Sequence, residues 1–239
     1  MAEPKSPSAG SDVLLQALSH MLTENSEFGR MTVFHFESPK SSELAAGVEE
    51  APLVEAACKL SSHGFVPFRP TSIGQVREQL RYIFKTWETA ATVARKPQFV
   101  IHLSCHGNEH GIAIGGESLS WKDLGDAMST AAGTRNIPFV LTISACGGAT
   151  APSFADAFTG VAKPIYIFSF GSKVSWSDAA LTWAVIYSKI SGFKVGDKLA
   201  IQALVTVVNL LAPSDLRYHR WDGGTYKKFR ALTVGQSPP

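Results

Sequence analysis

The sequence lacks several features that would assign it to a specialised class of protein. Its three cysteines are odd in number and far apart, which excludes a disulfide framework and favours a reducing, cytoplasmic location. The formal net charge of +2 over 239 residues is too small to argue for nucleic acid or an anionic membrane as a partner. There is no phosphate-binding loop, dinucleotide fingerprint or Cys-x-x-Cys pair, so we expect neither an organic cofactor nor a metal ion.

Long apolar runs are also missing. Residues 1–11 are rich in Ser, Pro and small residues and carry no apolar core of a secretory signal, so we expect them to be disordered, like the tail 235–239. The most apolar stretch, 199–212, is too short to cross a bilayer, and we expect it to form a buried helix. We therefore expect residues 12–234 to form a single domain that makes no use of a membrane.

Apolar segments of strand length alternate with segments of helical periodicity along the chain. Strands are predicted at residues 31–36, 64–68, 98–104, 138–144, 164–170 and 226–234, with a hairpin at 111–119. Helices are predicted at 12–24, 52–60, 73–93, 120–132, 177–190 and 197–211, with a brief helix at 153–158. This alternation predicts an α/β protein in which three layers, α/β/α, surround a mostly parallel central sheet.

Two of the predicted strands end in the same way, with a reactive side chain followed by glycine. The strand 98–104 leads into His106-Gly107, and the strand 138–144 leads into Cys146-Gly147. Functional groups collect at the carboxyl ends of strands in an open parallel sheet. The chain between the two strands has room for a hairpin and one helix, which suffices for a crossover to a neighbouring parallel strand. The sequence therefore predicts an imidazole and a thiol on the same edge of the sheet.

This pair of side chains suits nucleophilic catalysis. A thiol attacks as its thiolate, and a histidine within reach supplies both a base and a positive field. Backbone N–H groups near Gly107 and Cys146 are positioned to hold an oxyanion. The neighbouring Cys105 alternates to the opposite face of its strand, which predicts packing, and His102 within the strand is expected to be a hydrogen-bonded core residue.

Taken together, the motifs Ser104-Cys105-His106-Gly107 and Ser144-Ala145-Cys146-Gly147 resemble those of the caspase-like cysteine peptidases. This group includes caspases, metacaspases, legumain, gingipains, separase and the CHAT proteases. The interval of 40 residues from His106 to Cys146 is comparable with the interval of about 50 in caspases. The resemblance implies a caspase-like fold and hydrolysis of a protein or peptide substrate. It assigns His106 as general base and acid, Cys146 as nucleophile, and the backbone amides of Gly107 and Cys146 as the oxyanion hole.

The residues of the two motifs are most similar to those of CHAT and separase-like members of the group. Caspases carry Arg and Gly after the nucleophile, whereas Gly147 and Gly148 follow it here. The resemblance implies cleavage after a basic residue, with Asp178 as the acidic group of the pocket and Trp176 as its wall. Asn108 is expected to line the cleft. Because Ser175 to Asp178 also has the spacing of a capping box, capping of a helix is an equal alternative for Asp178.

Three functions remain open for this chain. The first is an endopeptidase that acts through Cys146 and His106 and that an activating protein partner or a ligand gates, because we find no recruitment domain in the sequence. The second is a catalytically silent caspase-like scaffold or sensor. The third is another hydrolase or transferase that uses the same thiol. The paired motif favours the first.

Overall fold

The computed structural model of the protein describes residues 30–91, 99–135, 137–150, 154–190, 198–212 and 214–229. Within these ranges nine strands form one mixed sheet, and six α-helices accompany it. The strands are β1 (Thr32–Ser38), β2 (Gly64–Phe68), β3 (Phe99–Asn108), β4 (Gly111–Ile114), β5 (Glu117–Ser120), β6 (Val140–Ser144), β7 (Tyr166–Phe170), β8 (Leu216–Trp221) and β9 (Tyr226–Phe229). The helices are α1 (Ser41–Ala45), α2 (Ala51–Leu60), α3 (Ile73–Ala91), α4 (Trp121–Ala132), α5 (Trp176–Ile190) and α6 (Lys198–Leu211).

The central sheet is mostly parallel, as the sequence predicted. Its strand order is β2-β1-β3-β6-β7-β8-β9, and the first five strands of this order run parallel to one another. The last two, β8 and β9, are antiparallel to their neighbours. The hairpin of β4 and β5 pairs with the far end of β3, outside the main order.

The strands are buried on both faces because their side chains alternate between two apolar layers. On one face, Phe99, Ile101 and Leu103 of β3 join a core with helices α3 and α4. On the other, Val100 of β3 joins a core with α2, α5 and α6. An apolar run buried on both faces is what a parallel strand between two helical layers requires. The described residues therefore form a three-layer α/β/α arrangement.

Several element boundaries differ from the sequence prediction. The segment 37–42 lies outside every helix and strand predicted above, but it contains the end of β1 and the start of the short helix α1. Strand β3 continues past 104 to Asn108 because its end pairs with the hairpin. The sequence analysis missed β8, whose charged and aromatic residues mask the alternation of a strand. The brief helix predicted at 153–158 is a 3₁₀ helix over Ala155–Phe158.

Some predictions fall outside the residues that the structure describes. These are the tails 1–11 and 235–239, the helix at 12–24, and the part of the last predicted strand beyond Phe229. In the described helices, no stretch is long and apolar enough to span a lipid bilayer.

Candidate active site

The register of the two central strands brings His106 and Cys146 to the same level of the sheet. Strands β3 and β6 are parallel neighbours, and Ser104 of β3 lies opposite Ser144 of β6. His106 and Cys146 each follow two residues after this matched pair. The imidazole and the thiol therefore leave the sheet side by side at its carboxyl edge, as the sequence predicted.

The glycines after the two residues meet different structural requirements. A Cβ on Gly107 would lie 2.7 Å from the Cβ of Ala145, so the close approach of β3 to the end of β6 needs a residue without a side chain. Gly147 has a φ of +71°, a conformation that strains other residues. Both motif glycines thus hold the backbone that places the reactive side chains.

His106 and Cys146 border one cavity of about 220 Å³. The side chain of His106 is 33% exposed, and Cys146 is half-buried, so both are open to a ligand from solvent. The other walls come from helix α1, the end of β6 and the segment that leads into α5. They include Glu43, Ser144, Ala145, Val174, Ser175 and Trp176.

Glu43 on α1 is the residue that holds His106. Its Oε2 lies 2.7 Å from Nε2 of His106 and also accepts the backbone N–H of Lys40 at 2.8 Å. Its Oε1 accepts the indole N–H of Trp176 at 3.2 Å. Burial raises the pKa of Glu43, but the hydrogen bonds from His106, Lys40 and Trp176 outweigh it, and the net effect is a lowered pKa. The ionised carboxylate is thus an acceptor for an imidazole N–H at Nε2, which leaves Nδ1 as the basic nitrogen.

The sequence analysis did not identify Glu43. It lies 63 residues before His106, in a stretch for which the sequence predicted no helix or strand, and no local pattern links the two residues. A carboxylate that follows β1 at the carboxyl edge of the sheet is the one signal that pointed towards the site.

The three cysteines have different environments. The thiol of Cys146 lies 3.9 Å from the carbonyl oxygen of Val174, which it can reach as a donor. Cys105 is buried and packs in the core, as predicted, although it also borders the cavity at Cys146, and burial raises its pKa. Cys58 is fully buried, and burial raises its pKa to about 12. A thiolate forms less readily at these buried positions, so Cys146 is the thiol that is placed to react.

The three predicted substrate-binding residues lie in different places. Trp176 lines the cavity, with its ring edge-on to His106 at a centroid distance of 6.0 Å. Asp178 is not among the described residues that line the cavity. It accepts the hydroxyl of Ser175 at 2.6 Å and returns its own N–H to that oxygen at 3.1 Å, which confirms the capping alternative.

Asn108 has a structural role in the turn between β3 and β4. Its Oδ1 accepts the backbone N–H groups of His110 and Gly111, at 2.8 and 3.3 Å. It lines a depression of about 510 Å³ beside His106, and not the cavity at Cys146. The oxyanion hole assigned to the amides of Gly107 and Cys146 stays a prediction.

A larger depression of about 580 Å³ adjoins the other side of His106. Its walls include Lys40, Arg69 and the turn glycines Gly115 and Gly116. Arg69 lies 2.7 Å from a carboxylate oxygen of Glu49, so its charge is already compensated. His106 thus borders three depressions, and of these three the one of about 220 Å³ has Cys146 among its walls.

A group of potential metal ligands lies fully buried near the site. Ligand atoms of His35, Glu50 and His102 are within 4.8 Å of one another. The rings of His35 and His102 are stacked, with 4.5 Å between centroids and 24° between planes. Imidazole binds a metal through an in-plane lone pair at about 2.0–2.1 Å. Nearly parallel rings do not direct both lone pairs at one ion, so we do not assign these residues as metal ligands.

Comparison of the chain with known proteins adds no family assignment. No model of a known protein family matches the chain, and no curated protein matches it significantly. The resemblance to caspase-like peptidases therefore rests on the two motifs and stays a prediction.

Proposed function

We propose that this chain is a caspase-like cysteine endopeptidase in which Cys146 is the nucleophile and His106 is the general base and acid. The observation that supports this most strongly is the shared cavity of the two residues, with Glu43 bound to Nε2 of His106 at 2.7 Å. An acid that orients a histidine beside a nucleophile is the arrangement on which several unrelated hydrolases converge.

In the proposed reaction, Nδ1 of His106 takes the proton of the Cys146 thiol. The thiolate attacks the carbonyl carbon of a peptide, and the backbone N–H groups of Gly107 and Cys146 stabilise the oxyanion. The C–N bond then breaks, and His106 gives its proton to the leaving amine. A water molecule, deprotonated by His106, attacks the thioester, so that the C–S bond breaks and the acid product and the thiol are released.

Glu43 has two roles in this proposal. Its charge stabilises the imidazolium that forms during the reaction and keeps the ring in one orientation. It is also the carboxylate within the cavity, which favours substrates with a basic residue before the scissile bond. A carboxylate has about four lone-pair sites and can accept a substrate N–H in addition to its present donors. We thus propose Glu43 as the specificity group in place of Asp178, with Trp176 as the wall.

The larger depression on the far side of His106 suits the leaving part of the substrate. The general acid must reach the departing amine, so the chain after the scissile bond lies on the histidine side of the nucleophile. Lys40 and the exposed turn at Gly115 line this side. We propose that it accommodates the residues that follow the cleaved bond. The proposal includes an activating partner or ligand, as expected from the sequence.

The test is cleavage of a positional library of fluorogenic peptides by the wild type, Cys146→Ala and His106→Ala, with Cys58→Ala as a control that removes a buried thiol. We expect turnover with Arg or Lys before the scissile bond, abolished in the first two variants and retained in the control. Turnover only after Asp would contradict the specificity. Absence of turnover, together with no labelling of Cys146 by a thiol-reactive peptide, would favour the catalytically silent scaffold.

A further inference from the structure

A chain of buried polar side chains lies beneath the two strands that carry His106 and Cys146. The hydroxyl of Ser144 bonds to Oε1 of Glu50, and Oε2 of Glu50 lies 3.1 Å from Nε2 of His102. Nδ1 of His102 lies 2.6 Å from the hydroxyl of Tyr187, which is 2.8 Å from the hydroxyl of Thr142. These five residues form a connection that starts and ends on β6 and passes through the N-cap residue of α2, through β3 and through α5.

When Glu50 is a neutral acid, each hydrogen bond of the connection has one donor and one acceptor. Ser144 then donates to one oxygen of Glu50, and the other oxygen donates its proton to Nε2 of His102. The second ring nitrogen of His102 donates to Tyr187, which donates to Thr142. If Glu50 ionises, His102 must donate to it instead, and every donor beyond His102 reverses. Ionisation of Glu50 therefore reverses the bonds from His102 through Tyr187 to Thr142, while Ser144 stays a donor to Glu50.

The surroundings of Glu50 favour its neutral form. Glu50 and His102 are 1% and 0% exposed. Burial raises the pKa of Glu50 to about 8, which the hydroxyl groups of Ser144 and Ser104 only partly offset, and burial lowers the pKa of His102 to about 3. An isolated charge in such a position is strongly disfavoured because water no longer solvates it.

Each element packed against Glu50 contributes groups that matter for this charge state. The titratable and charged groups around it are His35 and Glu37 on β1, His102 and Cys105 on β3, Tyr187 on α5, and Glu49 and Arg69 at the margin. Burial lowers the pKa of His35, so it is neutral as well. Arg69 is paired with Glu49 at 2.7 Å and lies 3.9 Å from Glu37. The positive charge of Arg69 is thus compensated by Glu49 and Glu37 and not by Glu50.

We propose that Glu50, as a neutral acid, is a positioning residue that fixes the end of β6 to β3 and so sets the spacing of Cys146 and His106. Ser144 lies two residues before Cys146, and His102 lies four residues before His106. A shift at Ser144 is passed to Cys146 through a single residue, Ala145, whose Cβ would be 2.7 Å from a Cβ added at Gly107. The activity readout of this proposal rests on the proposed function, whereas its second readout does not.

The experiment compares Glu50→Gln, Glu50→Ala and Ser144→Ala with the wild type. The two readouts are kcat/KM for the best library peptide and the rate at which iodoacetamide alkylates Cys146, both measured from pH 6 to pH 9.5. Glutamine reproduces the donor and the acceptor of a neutral acid but does not ionise. At pH 7 we expect kcat/KM and the alkylation rate of Glu50→Gln to stay within about threefold of the wild-type values. For both kcat/KM and the alkylation rate, the value of the wild type divided by that of Glu50→Gln should then fall at least fivefold between pH 7 and pH 9.

The alanine variants test positioning itself. We expect Glu50→Ala to lower kcat more than tenfold with little change in KM, and Ser144→Ala to lower it by a smaller factor, in samples whose circular dichroism matches that of the wild type. Glu55→Gln is the matched control, because Glu55 is a solvent-exposed carboxylate on the same helix that pairs with Lys59. For Glu55→Gln, kcat/KM and the alkylation rate relative to the wild type should not change with pH.

Two results would overturn the proposal. One is a wild type to Glu50→Gln ratio that is independent of pH, and the other is a Glu50→Gln variant as impaired at pH 7 as Glu50→Ala. If no peptide is cleaved, the alkylation rates still decide the role of Glu50 while the proposed function fails. If peptides are cleaved and Glu50→Ala keeps the kcat and alkylation rate of the wild type, only the positioning role fails.

Discussion

Replacement of Glu43 by glutamine removes the charge beside His106 with almost no change in shape. The carboxylate uses both oxygens, Oε2 for His106 and the N–H of Lys40, and Oε1 for the indole of Trp176. Glutamine offers one acceptor atom, so at least one of these donors loses its partner. The variant therefore tests both the charge and the orientation of the imidazole.

The size of the effect follows from the exposure of the pair. A hydrogen bond to a charged group contributes about 1.5–3 kcal/mol. The side chains of His106 and Glu43 are 33% and 23% exposed, so solvent screens part of this energy, and we take about 1–2 kcal/mol. Since about 1.4 kcal/mol corresponds to a factor of ten in rate, we expect kcat to fall by roughly 5- to 30-fold.

The assay is the pH dependence of kcat for a peptide with a basic residue before the scissile bond. Because the net effect on the pKa of Glu43 is downward, its carboxylate stays ionised at neutral pH, and the ratio of wild type to Glu43→Gln should be constant there. The ratio should approach one only in acid, below the usual range of a carboxyl group. Glu109→Gln is the matched control, because Glu109 is an exposed acid 3.5 Å from His110. An unchanged kcat in Glu43→Gln would refute the positioning role of Glu43.

Three further outcomes can be measured independently. In Gly107→Ala the new Cβ meets Ala145, so we expect a stability loss of about 1–3 kcal/mol and slower alkylation of Cys146, whereas Gly74→Ala in helix α3 should be neutral or stabilising in thermal melts. Asp178→Ala removes the acceptor of the Ser175 hydroxyl and an acid in the first turn of α5, so it should lower stability by about 0.3–1 kcal/mol in urea unfolding and leave the preference for basic residues unchanged. Burial raises the pKa of Glu50 from 4.5 to about 8, so between these values the folded protein keeps a proton that the unfolded protein releases. The free energy of unfolding should therefore fall by about 1.4 kcal/mol per pH unit from pH 5.5 to 7, and by less as the pH approaches 8, in the wild type but not in Glu50→Gln.

The central strands could be predicted from the sequence because they are apolar on both faces. Predictions at 98–104, 138–144 and 164–170 correspond to β3, β6 and β7. Once parallel pairing of β3 and β6 is assumed, the meeting of His106 and Cys146 follows from their equal distance past the matched serines. The capping of α5 by Ser175 and Asp178 was predictable too, because a cap depends on residues three apart in the chain.

The contacts that the sequence could not predict join residues far apart in the chain. Glu43 and His106 are separated by 63 residues, and Glu50 and Ser144 by 94. A periodic pattern reports which face of an element is apolar, but it does not tell which polar side chains meet across the core. Helix α1 escaped prediction for a related reason, because five residues are too few to show a helical period.

Three of the four glutamates between residues 37 and 50, Glu37, Glu43 and Glu50, are each bound to a different part of the site. Glu37 accepts the N–H groups of Glu50 and Ala51 at 2.6 and 3.1 Å, and so holds the start of α2. That start fixes Glu50 beneath β3 and β6, while Glu43 between them reaches over the edge of the sheet to His106. The segment 37–50 thus contacts His106 through Glu43, and it contacts His102 of the same strand through Glu50. A displacement of this segment would therefore alter the orientation of His106 and the contact between β3 and β6 together, and a partner that moves it would gate the proposed activity.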